Sequence, residues 1–160
     1  MKTLISNIVT AITGSDASIS AAKYAIVMAK MYHSRLSMVY VVDTATIKQL
    51  TLSKIFVQDE SIEYEKSLEA NGQRYLSFME ELAQAKGVKI EKEIRKGAVC
   101  TEILSAAEER KADLIVMGGW EKDRNARDVI GHAHREIMIG AKCSVLLVKE
   151  PDADQMYKQA

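Results

Sequence analysis

Residues 4–30, LISNIVTAITGSDASISAAKYAIVMAK, decide the fold. The first nine are apolar and rich in β-branched side chains, the composition of a buried strand. Gly14 breaks the run, and Ser15 or Asp16 stands where a side-chain oxygen can take the first free amides of a helix. From Ala17 to Tyr32, Ile19, Ala22, Ile26 and Ala29 recur at three- and four-residue spacing, the stripe of a helix lying on a sheet. Strand, tight turn and helix in that order open a βαβ unit.

The same alternation continues outward from that stretch. LSMVYVVD (36–43) reads as a second buried strand, and residues 44–60 have no clean period, so an irregular connection or a short helix is expected there. A long helix from Ser61 to Lys86 sets Leu68, Tyr75, Leu76, Met79 and Leu82 on one face, with Gly87 as its stop. VKIEKEIRK (88–96) alternates apolar and charged residues, as an edge strand with one wet face does. Val99, Ile103, Ala106 and Ala107 mark the next helix, and DLIVMGG (113–119) is a short apolar strand closed by two glycines. A charged segment (120–130) leads to a helix over 132–140 carrying Ala133 and Ile137, then to a last strand, VLLVKE (145–150). The order predicts an α/β fold, a Rossmann-like five-stranded parallel sheet with helices on both faces. One domain over 1–150 is expected, followed by a polar tail, 151–160, that frays.

Bulk properties narrow the function classes. Lys and Arg total 22 against 22 Asp and Glu, so no overall field draws a polyanion, and nucleic acid is not the expected partner. Hydrophobic residues at 48% and charged residues at 28% match an ordinary globular domain. Ser6, Asn7 and Thr10 interrupt the first apolar run, which reads as a strand and not as a signal peptide. No stretch has the length of a membrane span. Cys100 and Cys143 are far apart with no CxxC, so no disulfide framework is expected and a reducing cytoplasm suits the chain.

Three stretches, NIVTAITGSDASISAAKYAIVMAK, ADLIVMGG and GHAHREIMIGAKCSVLLV, together resemble the universal stress protein family. The segment IRKGAVCTEILSAAEERKADLIVMGG resembles the family's strand, glycine turn, helix and strand in the same order. The resemblance implies an adenine nucleotide alpha hydrolase-like sheet and a homodimer formed through the last strand, here Val145, Leu146, Leu147 and Val148. Pairing two such edges removes unpaired backbone groups from solvent.

Some members of that family bind ATP through Gly, two residues, Gly, nine residues, then Gly with Ser or Thr. Glycines let amides approach phosphates, and a helix N-terminus adds partial positive charge. By position the first glycine is Gly118 and the third is Gly131, but Glu121 replaces the second and His132 replaces the hydroxyl residue. Ala133 still offers a backbone N–H. Nucleotide-binding members place Asp before Gly-Ser, where this chain has Thr13, Gly14 and Ser15. Val41 matches a residue that packs near adenine, and Met117 precedes the phosphate loop. Thr13, Gly14, Val41, Met117, Gly118, Gly131, His132 and Ala133 thus form the candidate nucleotide site, with ATP or another adenine nucleotide as its ligand. Glu121 repels phosphate and fills space that glycine leaves open. The expected role is therefore a non-enzymatic, dimeric stress-response module acting on an unidentified protein partner; the alternative is an adenine-nucleotide binder with slow hydrolysis.

No metal site is expected. His132 and His134 point about 200° apart on a helix and read as surface or capping residues. His33 is placed to meet the carboxyl end of the first helix. Cys100, at the start of a helix, invites a dipole-favoured thiolate but reads more simply as structural. Trp120 either covers the loop or meets a partner.

Overall fold

A computed structural model describes residues 3–119, 127–149 and 151–160, with the helical course alone for 127–132. The elements are β1 (Asn7–Ile12), α1 (Asp16–Tyr32), β2 (Arg35–Asp43), α2 (Thr44–Leu52), α3 (Gln58–Gln84), β3 (Ile90–Gly97), α4 (Val99–Glu109), β4 (Leu114–Gly118), α5 (Arg127–Gly140), β5 (Ser144–Val148) and α6 (Ala153–Gln159). The five strands are parallel throughout and lie in the order β3-β2-β1-β4-β5. The expected sheet is therefore present, and the charged strand β3 is indeed an edge.

The period of two along each strand divides the core. On β1, Ile8 and Ile12 join α1, α3 and α6, while Val9 and Ala11 join α4 and α5. On β4, Leu114 and Val116 take the first side, and Ile115 and Met117 the second. Ile115 and Val116 are fully enclosed, as a strand covered on both faces requires. The chain leaves β1 in one direction toward β2 and β3 and in the other toward β4 and β5. The strand order therefore reverses between β1 and β4, the place where such sheets open a crevice at their carboxyl ends.

Of the two alternatives for residues 44–60, the short helix is the one that forms, over part of the segment. Residues 44–52 form α2, capped by Asp43, whose carboxylate accepts from Thr46 N at 3.0 Å and Thr46 Oγ1 at 2.7 Å. Its stability comes from this cap and from buried Ile47; with Thr44, Thr46 and Thr51 in nine residues, propensity alone argues weakly for a helix.

The tail does not fray. Ala153 and Tyr157 of α6 are buried, the Tyr157 hydroxyl donates to Leu82 O at 2.7 Å, and Lys23 pairs with Asp154 at 2.5 Å. Lys86 and Lys23 stand over the Tyr157 ring at 4.8 and 5.7 Å, adding cation–π attraction. The tail's polar composition hides a two-residue apolar contact. His33 closes α1 through its backbone, at φ 54°, with its N–H on Ala29 O.

On the opposite side, charge organises the β3 edge. Glu93 bridges Arg110 at 2.9 Å and Arg95 at 2.7 Å, and the two arginines also hold Glu91, Glu102 and Glu109. Burial pushes the Glu93 carboxyl up, but hydrogen bonds from Arg110 and Arg95 outweigh it and keep the group below its ordinary 4.5. A depressed carboxylate stabilises the fold fully above the unfolded value, and that contribution is lost as pH falls through the lower folded value. Glu93→Gln is accordingly expected to flatten the loss of urea stability between about pH 6 and about pH 3. Removal of residues 151–160 uncovers the seat of Tyr157 and is expected to lower unfolding free energy by roughly 2 kcal/mol or more; an unchanged urea midpoint would mean that α6 does not dock.

Candidate functional site

The crevice between β1 and β4 is bounded by the first turn of α1 and by α5. Its shape starts from Gly118. A Cβ on that residue would stand 2.5 Å from the Ala17 carbonyl carbon and 2.9 Å from Ser18 N, far inside van der Waals contact. Glycine is needed here so that α1 can rest directly on the end of β4, a packing requirement independent of any phosphate. The second glycine of the pair, Gly119, donates its N–H to Val148 O at 3.0 Å and joins the crevice floor to β5.

The turn between β1 and α1 is held from within. Ser15 caps the helix, its Oγ accepting from Ser18 N at 3.1 Å. Ser18, buried at 3% exposure, accepts in return from Thr13 N at 3.0 Å and Gly14 N at 3.3 Å. Thr13 Oγ1 and Ser15 Oγ share a further hydrogen bond of 2.9 Å. Gly14 has φ 82°, and a Cβ on it would meet the Tyr75 ring at 2.4 Å, so both conformation and space exclude a side chain. The Thr13 and Gly14 amides are thus both turned onto a serine of the chain itself.

Across the crevice, His134 is buried and its Nε2 lies 2.7 Å from Gly118 O. The sequence reading of a surface or capping histidine is thus corrected. The position follows from the helical face: His134 and buried Ile137 are three apart, so the imidazole comes down beside the core. Between these walls lies a cavity of about 110 Å³ lined chiefly by apolar groups, with Ala11, Val99, Met117, Ala133 and Ile137 among them.

Of the predicted residues, Thr13, Met117, Gly118 and Ala133 line this cavity. Gly14 belongs to the same turn but lies under Tyr75. Val41 is half-buried against the Val9, Val39 and Ile103 layer and is not among the described lining residues. Gly131 and His132 fall within the course of α5, and their side-chain positions lie outside the described residues, as do Trp120 and Glu121 altogether. Ser18, Val99, His134 and Ile137 are additions that the sequence reading missed. The spacing Ser15-x-x-Ser18 was the available signal for the turn, since hydroxyl residues favour such local backbone bonds.

The remaining reactive groups lack activation. Burial pushes the Cys100 thiol up, and the Glu136 carboxylate pushes it further, opposite to the dipole-favoured thiolate. Burial does the same to Cys143. Among the described residues no three His, Cys, Asp or Glu side chains are grouped to hold a metal ion.

The model of the universal stress protein family matches residues 5–149. A universal stress protein of Methanocaldococcus jannaschii is 35% identical over 148 residues, spanning 92% of this chain and 84% of the relative. The structure of UspA from Lactobacillus plantarum superposes with a TM-score of 0.76 at 21% identity, covering 91% of this chain and 98% of that one. Two further similar folds are a universal stress protein in complex with cAMP and one from Archaeoglobus fulgidus in complex with dAMP. Their TM-scores are 0.67 and 0.60, at 22% and 19% identity. Each covers 91% of this chain; 97% of the cAMP-bound chain and 99% of the dAMP-bound chain are matched.

If the turn is locked as described, Ser18→Ala strands two amides and is expected to cost about 1–3 kcal/mol. Gly118→Ala forces α1 off β4 and is expected to cost a similar amount, about 1–3 kcal/mol or more. Urea unfolding of the two variants measures both.

Proposed function

The chain belongs to the universal stress protein family, and from that premise we propose that it serves as a non-enzymatic, dimeric stress-response module whose output is binding to a protein partner. The observation that carries this reading is the closed turn: Ser18 Oγ takes the Thr13 and Gly14 amides, so neither is free to meet a ligand on that side of the crevice. Two further features support it. Glu121 stands in the sequence where the family's second phosphate-loop glycine is expected. The cavity of about 110 Å³ is also well below the roughly 300–1,000 Å³ of ordinary small-molecule clefts.

The dimer in this proposal forms through β5. That strand ends the sheet order, and both segments that might have covered it lie elsewhere: α6 packs on α1, and α2 packs on α3 and β3. Val145, Leu146 and Leu147 are half-buried in the single chain, which leaves area for a second copy to enclose. Among the described residues no helix is long and apolar enough to cross a membrane, and the proposed setting is the cytoplasm.

The second reading is adenine-nucleotide binding, favoured by the cAMP and dAMP complexes of similarly folded proteins. Calorimetry of ligand-free protein with ATP and Mg²⁺, and separately with cAMP, separates the two. No saturable heat at micromolar concentration is expected; saturable binding would replace the first reading with the second. Glu121→Gly alone is expected not to restore binding, because Ser18 still holds the turn. In sedimentation the chain is expected at the mass of two copies, and a monomer at micromolar concentration would remove the dimer from the proposal.

A further inference from the structure

The cavity between β1 and β4 has a chemistry of its own. Its described lining contains no Lys, Arg, Asp or Glu. Each hydroxyl at its edge is already bonded: Ser18 Oγ to two amides, and Ser15 Oγ to Ser18 N and Thr13 Oγ1. The one titratable side chain, His134, directs Nε2 to Gly118 O. The remaining contact area is the methyl and methylene surface of Ala11, Val99, Met117, Ala133 and Ile137. Water resting against such a lining finds few of the two to four polar partners that would hold it, so an apolar guest displaces it at little cost.

We propose that this cavity is a binding site for a small, uncharged, apolar molecule, on the scale of one aromatic ring or a short aliphatic chain. The assignment rests on the reading that this crevice does not hold a nucleotide. Size sets the class. An engineered apolar cavity of about 150 Å³ takes benzene, and the present one, at about 110 Å³, places a single ring near the upper limit. Charge sets it further, because among the described lining residues an anion would lose its hydration without meeting a Lys or Arg, and a cation without meeting a carboxylate. An apolar guest loses nothing comparable and gains contact with the sulfur-bearing side chain of Met117, which adapts to irregular shapes.

The test uses the full chain, with benzene as the probe and benzoate as its charged match, read by carbon-13 NMR of the methionine methyl groups. Met117, buried at 2% exposure, is the reporter. Benzene is expected to move its methyl resonance saturably, with a Kd on the order of 1 mM, while benzoate leaves it in place. Filling the cavity by Ala133→Leu, or more conservatively by Val99→Ile, is expected to abolish or weaken the response, with unchanged methionine spectra elsewhere showing that each variant is folded. Absence of a saturable shift, an equal response to benzoate, or a response untouched in both folded variants overturns the proposal. An ATP and Mg²⁺ titration in the same spectra keeps the two readings apart. Nucleotide binding without a benzene response defeats both. Nucleotide binding with a benzene response defeats only the closed-turn reading, and neither ligand binding defeats only the present one.

Discussion

The contact between the first turn of α1 and Gly118 is the constraint on which the rest of the molecule depends. With a Cβ excluded at 2.5 Å from the Ala17 backbone, the helix lies flat on the end of β4, and Ser18 is carried beneath the β1 turn. From there its hydroxyl takes the Thr13 and Gly14 amides. The cavity and its apolar lining follow from that placement. A glycine that the family pattern assigns to phosphate binding is here also required by packing.

The same economy of contact appears on both faces of the sheet. Alternate residues of β1 and β4 supply two separate apolar layers, so the strands need no polar partner beyond the backbone ladder. An ion-pair network lies at the β3 edge, where two arginines hold four glutamates and the charge discourages pairing with a further strand. The β5 edge carries Val145, Leu146 and Leu147 instead. The asymmetry between a charged edge and an apolar one is the physical support for the proposed dimer.

Much of this was legible in the residues. The parallel five-stranded sheet follows from the alternation of elements, and the stripe Ile19, Ala22, Ile26 and Ala29 marks the sheet-facing side of α1 because helical periodicity is robust over four turns. What escaped was set by single contacts. The α6 dock depends on Tyr157 reaching Leu82 O, a partner 75 residues away that no local pattern announces. For residues 44–52 the sequence left an irregular connection and a short helix both open, and one aspartate cap favours the helix. His134 looked polar and exposed because an imidazole suits either environment, and its burial is decided by the crossing of α5 over Gly118 O. At the candidate site, the family glycines were visible, but the competition of Ser18 for their neighbouring amides was a matter of geometry.

The state of those two amides therefore carries the account. Hydrogen exchange at Thr13 N–H and Gly14 N–H, followed by NMR in the absence of any ligand, measures it directly. Slow exchange at both positions, unchanged by ATP and Mg²⁺ and accelerated in a folded Ser18→Ala variant, is the predicted result. Exchange at the rate of an open loop, slowing only when nucleotide is added, would contradict it.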